Sequence, residues 1–377
     1  MKKRNLLLTL VLLVTFIGGF ITGVFYNPNH GQTTMGQLAS SVKKPNQKQK
    51  PQSISKQKKV LIGYVQDFRN PDSVDYSKLT HVIFSFAHPT KDGHLLLNGD
   101  SALNNLRKTV SNAHKQHTKV MLAIGGWYHI QGGESYPYFK EAITNSLART
   151  KLVDELVTIV DREQLDGIDI DFEHPRTKKD AENLTSFAKE LSEKLQKDKK
   201  VLSIAVNAKV HSVAGTEINN VVFEPSMFKY VNHVNIMAYD GQWDGKYNAA
   251  NLSPYSYNVN IVNYWSKLFD TYKISREKLV LGIPFYAQPA DPAIKQVSYA
   301  TIIKNNPANA KTDTVKLNGT TYYYNGEASV QKKTKLALDH GFGGMMLWEA
   351  GHDTKGPHSL TSAIANELEA SNLYTLK

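Results

Sequence analysis

The chain has 377 residues, of which 41% are hydrophobic and 21% charged, which excludes a disordered chain and suits either two ordinary cores or one α/β barrel. Its net charge of +11 sits at the N-terminus: residues 1–59 hold ten Lys or Arg and no acid, leaving 35 basic against 34 acidic side chains in 60–377, a net of +1. A basic groove for nucleic acid is thereby excluded from the folded part, and the lack of any cysteine excludes disulfides, thiolate nucleophiles and Cys-ligated zinc.

In chain order, Lys2-Lys3-Arg4 precede Leu6–Phe25, twenty residues without a charge. That run is longer than the apolar region of about 7–15 residues in a secretory signal, and about 20 residues suffice to cross a bilayer as a helix. Residues 1–26 therefore read as an uncleaved membrane anchor or a cleaved signal peptide. Either way the positive end stays inside and the remainder is extracellular. Residues 27–59 are rich in Gln, Ser, Lys, Pro and Asn, a composition that cannot bury enough surface to fold. They read as a basic disordered linker, either a solvated spacer or a contact for anionic cell-wall polymer or membrane headgroups.

From Val60 onward, β-rich runs alternate with helical patterns. The expected strands are Val60–Val65, His81–Phe86, Lys119–Ile124, Gly167–Glu173, Val201–Asn207, His233–Tyr239, Lys278–Phe285 and Gly343–Trp348. Leu152, Val153, Leu156, Val157 and Val160 mark one helix face before the fourth strand. Leu184, Phe187, Ala188, Leu191 and Leu195 mark another after it. Residues 60–377 thus form one α/β domain, a (β/α)8 barrel or a doubly wound sheet, and periodicity does not choose between them. Leu317-Asn318-Gly319-Thr320 reads as a tight hairpin after the seventh strand, with room there for only a small insertion.

The most informative run is Asp166-Gly167-Ile168-Asp169-Ile170-Asp171-Phe172-Glu173. Side chains alternate in a strand, so Asp169, Asp171 and Glu173 share one face, and Ile168, Ile170 and Phe172 the other. Burial and mutual repulsion raise the pKa of at least one of these acids. A proton held on Glu173 at the C-terminal strand end is what a general acid requires. A calcium loop would need a glycine and oxygen-rich turns in place of Ile and Phe. A Mg²⁺ site at the strand end stays open on the residues alone, although no phosphate-cradling glycine loop accompanies it. The thirteen histidines show no metal-ligand spacing, and no cofactor is expected.

This motif resembles that of the family 18 glycoside hydrolases, and within them the bacterial chitinases. Gly63-Tyr64, Met237-Ala238-Tyr239-Asp240 and Gly343-Gly344-Met345-Met346-Leu347-Trp348-Glu349 are similar to further motifs of the family. The resemblance implies a (β/α)8 TIM barrel and retaining cleavage of β-1,4 bonds between N-acetylglucosamine units. It implies that Glu173 is the general acid. Asp171 orients the substrate's own acetamido group as nucleophile, Asp169 shares a proton with Asp171, and Tyr239 binds the acetamido carbonyl. This is a substrate-assisted departure from the two-carboxylate scheme. Trp348 would be the apolar floor, with Tyr64 holding Asp169 and Asp240 supporting the sugar. Met237, Gly126, Trp127, Trp243 and Tyr286 complete the expected substrate-binding set, while Asp166 reads as structural and Trp265 as packing.

Two departures from the family pattern stand out. Its Ser-x-Gly-Gly on the third strand is Ala123-Ile124-Gly125-Gly126 here, so a hydroxyl that would anchor the motif's middle aspartate is missing, with an altered pH profile expected. Its Tyr-Gly-Arg after the seventh strand is Tyr286-Ala287-Gln288 here, so one sugar contact is in question. The small insertion implies an open groove and endo cleavage. Chitin or N-acetylglucosamine oligosaccharides are the expected partners of a monomeric enzyme. A peptidoglycan- or glycan-directed endo-β-N-acetylglucosaminidase and a catalytically dead lectin of the same fold are the alternatives. Retention of Glu173, Asp171 and Tyr239 speaks against the lectin.

Overall fold

The computed structural model describes residues 58–371, so the expected anchor or signal and nearly all of the linker lie outside the described residues. Lys59, the last residue of that linker, is buried, and its Nζ donates to the Phe342 carbonyl at 2.8 Å.

Eight parallel strands close on themselves. In chain order they are β1 (Val60–Gln66), β2 (His81–Pro89), β4 (Lys119–Gly125), β5 (Gly167–Asp171), β6 (Val201–Asn207), β7 (His233–Met237), β8 (Leu279–Pro284) and β13 (Gly344–Trp348). Each pairs with the next, β13 returns to β1, and a two-residue strand β3 (Leu95–Leu96) pairs antiparallel to the end of β2. Closure settles what periodicity left open: a barrel, not an open sheet. Strands buried on both faces explain why these segments are nearly continuous apolar runs. The boundaries differ in one place that matters. β5 stops at Asp171, two residues short of the expected Glu173, so the acid stands on the loop just past the strand.

Helices pack around the barrel: α1 (Gly99–Lys115), α2 (Tyr136–Thr144), α3 (Ser146–Arg162), α4 (Lys178–Leu195), α5 (Tyr255–Thr271), α7 (Glu327–Asp339) and α8 (Leu360–Ala370). The β1–β2 and β6–β7 crossovers carry short 3-10 turns at Pro71–Ser73 and Pro225–Lys229 instead of α-helices. The α4 stripe Leu184, Phe187, Ala188, Leu191 and Leu195 is buried in the layer between sheet and helices, together with Ile168, Ile170 and Phe172. Thr177 caps α4 through a reciprocal capping box with Asp180, which fixes where the loop after Glu173 re-enters a helix. Trp265 of α5 is fully buried, meets Phe228 and Phe269 edge to face, and donates its Nε1 to the Ala208 carbonyl at 3.1 Å. Asp166 holds the base of β5, its Oδ2 accepting from the Val120 amide at 2.8 Å, which makes it structural as expected.

The insertion after β8 is a four-stranded antiparallel sheet of β9 (Tyr286–Pro289), β10 (Val297–Ser298), β11 (Thr314–Leu317) and β12 (Thr320–Tyr323), with the helix α6 (Tyr299–Asn305). The expected hairpin joins β11 to β12. Asn318 and Gly319 have φ of 54° and 76°, the left-handed pair that a two-residue turn requires.

Candidate active site

The parallel register sets the site. Asp169 lies opposite Ala123 of β4 on one side and opposite Ser203 of β6 on the other. All three side chains face the barrel interior, where Asp169 is fully buried. Tyr64, reaching across from β1, donates its hydroxyl to Asp169 Oδ2 at 2.8 Å, as expected. Ser203 Oγ and Asn235 Nδ2 both donate to Oδ1, the latter at 3.2 Å, and Asn235 also reaches the Tyr64 hydroxyl at 3.1 Å. Burial pushes the Asp169 carboxyl up to about 7, and these three donors pull against that shift.

Asp171 stands one pleat higher on the same face and is buried. Its Oδ1 receives no hydrogen bond from the protein. Burial, then the charges of Glu173 and Asp169, push its carboxyl well above the usual carboxylate range. Glu173 is partly open to the cavity. Desolvation by the surrounding protein, then the charge of Asp240, raises it to about 7. Three acids on one line therefore cannot all be ionised near neutrality.

The backbone beneath this line is tightly packed. Gly125 has φ +114°, and a Cβ there would lie 2.2 Å from the Asp171 carbonyl, so only glycine lets β4 approach β5 this closely. The Gly126 amide donates to that same carbonyl at 2.8 Å. Gly126 thus acts through the backbone and is not among the cavity-lining residues, where the sequence reading put it.

The cavity above the acids has a volume of about 730 Å³. Tyr64, Met237, Tyr239, Asp240, Trp127, Trp243 and Trp348 of the expected set line it, with Asp171 and Glu173. Trp348 forms one wall, its ring 5.9 Å from Phe86 and 5.5 Å from Tyr64. Trp127 and Trp243 are 57% and 59% exposed, free to stack on a ligand rather than filling the core. Burial pushes the Tyr239 hydroxyl far up, and neighbouring acids add to this, so it stays protonated and able to donate. Asp240 takes φ +62°, which aspartate tolerates better than most residues. Its Oδ1 accepts from Gln242 at 3.0 Å and from the Tyr286 hydroxyl at 2.5 Å. Tyr286 is therefore buried behind Asp240, away from the lining where the sequence reading placed it.

Ser203, Asn235, His174 and Asn207 escaped the sequence reading. The first two are polar residues at inward positions of apolar strands, a signal that alternation along β6 and β7 contains. His174 and Asn207 line the cavity. Burial, then the nearby Lys209 charge, lowers the His174 pKa, which leaves its ring neutral. Among the described residues no group of three or more His, Asp or Glu could hold a metal ion.

A closed parallel barrel that gathers a buried acid line, a tyrosine donor and an aromatic wall at its C-terminal mouth has the architecture of a barrel glycosidase. Comparison with known proteins agrees. The Glycosyl hydrolases family 18 model matches residues 57–353, and the chain belongs to that family. A chitinase-like effector of Moniliophthora roreri is 30% identical over 245 residues, 59% of this chain and 56% of that protein. Probable chitinase 2 of Drosophila melanogaster is 30% identical over 183 residues, 46% of this chain and 35% of that protein. The aligned regions thus span about half or less of these relatives. The crystal structure of the GH18 chitinase ChiB from the chitin utilization locus of Flavobacterium johnsoniae superposes with a TM-score of 0.68. It is 25% identical, with 84% of this chain and 95% of that one covered.

Proposed function

We propose that the chain is an extracellular chitinase that hydrolyses β-1,4 bonds between N-acetylglucosamine units with retention of configuration. The observation that carries this reading is the chemistry of the cavity: acids and aromatic rings line it, and no Lys or Arg does. With His174 neutral, every fixed charge there is negative or suppressed. Such a site suits an uncharged acetamido sugar and repels the lactyl carboxylate of a muramyl residue.

In this mechanism the Glu173 proton passes to the glycosidic oxygen as its bond to the anomeric carbon breaks. The acetamido carbonyl oxygen forms the new bond to that carbon, giving an oxazolinium ion. Asp171 accepts the acetamide N–H through its otherwise unbonded Oδ1, and Tyr239 donates to the acetamido oxygen. Asp169 takes up the proton that Asp171 gives up. Water then attacks the anomeric carbon, loses its proton to Glu173 and opens the ring. A tethered nucleophile needs only orientation, and fixed acids around the developing cation stabilise it.

Endo cleavage is supported by the insertion, none of whose residues from Asp291 to Asn325 is among those lining the cavity. Export is supported by the charged start and apolar run of residues 2–25. The test is to incubate the full chain and its Glu173→Gln variant with chitin oligosaccharides and with purified peptidoglycan, reading products by mass spectrometry. Chitobiose-sized products from the unmodified chain alone are expected. Release from peptidoglycan alone would move the assignment to wall remodelling, and silence on both with retained sugar binding would make it a lectin.

A further inference from the structure

We propose that the end of the barrel opposite the mouth is a docking surface for anionic phospholipid, which holds the cavity facing away from a membrane. All eight strands run parallel, so their first residues and the segments leading into them share one end, the base. Those segments are 58–60, 74–81, 115–119, 162–167, 196–201, 229–233, 272–279 and 339–344, and together they hold 13 Lys or Arg against 6 Asp or Glu. The remaining described residues hold 23 against 28. A folded part that is close to neutral as a whole is thus polarised, with a net +7 at the base and −5 elsewhere.

Ion pairs leave most of this base charge uncancelled. Lys58, Lys119, Lys197, Lys199, Lys229 and Lys273 are exposed, and among the described residues none of them has a carboxylate partner. Lys59, Lys200 and Lys278 donate their Nζ to the Phe342, Leu165 and Val231 carbonyls at 2.8, 2.7 and 2.7 Å, so main-chain oxygens hold these three heads. Of the six acids, Glu163 already pairs with Arg107 and Arg162, and Asp339 with Lys335. The field reaches inward: burial, then the charges of Lys119 and Lys278, lowers the pKa of His233 at the start of β7 to about 4.

Charge alone would suit any polyanion, and two features select a lipid surface. Tyr272 is 49% exposed beside Lys273 on this same end, an amphipathic ring among cations, which suits a headgroup layer. The chain also enters the barrel here, at Lys58–Val60, so the uncharged run Leu6–Phe25 is joined to the base and not to the mouth. Lysines near an anionic headgroup layer are attracted to it while the net-negative remainder is repelled, which turns the mouth outward. The orientation rests on charge and not on the activity proposed above.

The test mixes the full chain with vesicles of phosphatidylcholine alone or with about 30% phosphatidylglycerol, at about 0.05 M and about 0.5 M salt. Brief amine acetylation, mapped by mass spectrometry, reads which lysines the surface covers. Lys58, Lys119, Lys199, Lys229 and Lys273 should react about fivefold more slowly on the anionic vesicles at low salt, and this protection should vanish at high salt. Lys246, exposed between the mouth residues Trp243 and Tyr247, should react equally on both lipids. In the charge-reversed Lys119→Glu/Lys197→Glu/Lys229→Glu chain, protection of Lys58 and Lys273 should fall below about twofold with melting unchanged, while the matching triple arginine chain keeps it. Equal reactivity of the base lysines on the two lipids would overturn the proposal, as would protection that charge reversal leaves intact. If soluble polyglycerol phosphate protects the same lysines and anionic vesicles do not, the base binds a polymer and the lipid assignment falls. Cleavage of chitin is not read at any point, so failure of the substrate assignment would leave this result standing.

Discussion

Replacing Glu173 by glutamine tests the acid line in two ways at once. Burial and Asp240 raise the Glu173 carboxyl from 4.5 to about 7. At about 1.36 kcal/mol per pH unit, that shift costs the folded state on the order of 3 kcal/mol once the group must ionise. Below about pH 4 the carboxyl is protonated in both folded and unfolded chains, so the variant should melt like the unmodified protein there. Between about pH 4 and 7 the unfolded chain gives up the proton and the folded one keeps it, so stability falls as pH rises. Glutamine cannot ionise and removes that penalty. At pH 8.5 the variant should therefore melt higher, by about 5 °C for a domain of this size. Activity should move the other way. At pH 6 about nine in ten Glu173 side chains carry the proton, against a few per cent for an ordinary glutamate, and losing this acid should lower kcat about 10²–10⁴-fold. Thermal melts at pH 4 and 8.5, with hydrolysis of a fluorogenic chitobioside, read both effects. Equal melting temperatures at pH 8.5 would refute the claim that the acid is held neutral by its surroundings.

Trp127→Ala and Trp243→Ala should each raise KM for a chitin tetramer about fivefold through lost stacking, with little change in melting temperature, as steady-state kinetics and calorimetry would show. Trp265→Ala should leave a cavity beside Phe228 and Phe269 and an unpaired Ala208 carbonyl, at about 3–5 kcal/mol of stability, measured by urea denaturation. Arg69→Ala removes the charged partner of Glu349, a fully buried carboxylate that accepts from Arg69 Nε at 2.5 Å and from the Gln66 amide at 3.2 Å, and should cost about 3 kcal/mol by the same measurement. A similar loss in Arg69→Ala/Glu349→Gln would show instead that the pair matters for packing rather than charge.

The linear sequence determined a great deal here, because the features concerned are local. Alternation along Gly167–Glu173 puts Asp169 and Asp171 on one face and Ile168 and Ile170 on the other, and the strand geometry is indifferent to the rest of the chain. The helix stripe from Leu184 to Leu195 and the Asn318-Gly319 turn are likewise fixed within a few residues. Closure of the barrel was not legible from periodicity, since a buried parallel strand looks the same in a barrel and in an open sheet; the family resemblance supplied it.

What only the tertiary structure decided involves residues far apart in sequence. Tyr64, Ser203 and Asn235 meet at Asp169 across separations of 105, 34 and 66 positions. Tyr286, an expected sugar contact, is buried and donates its hydroxyl to Asp240, a residue 46 positions away. Ala123 looked like a lost anchor when read along its own strand. Asp169 instead accepts from Ser203 on its other register neighbour, a meeting that exists only once β4, β5 and β6 are in register. A strand's own sequence fixes which way its side chains point, but pairing fixes what they meet.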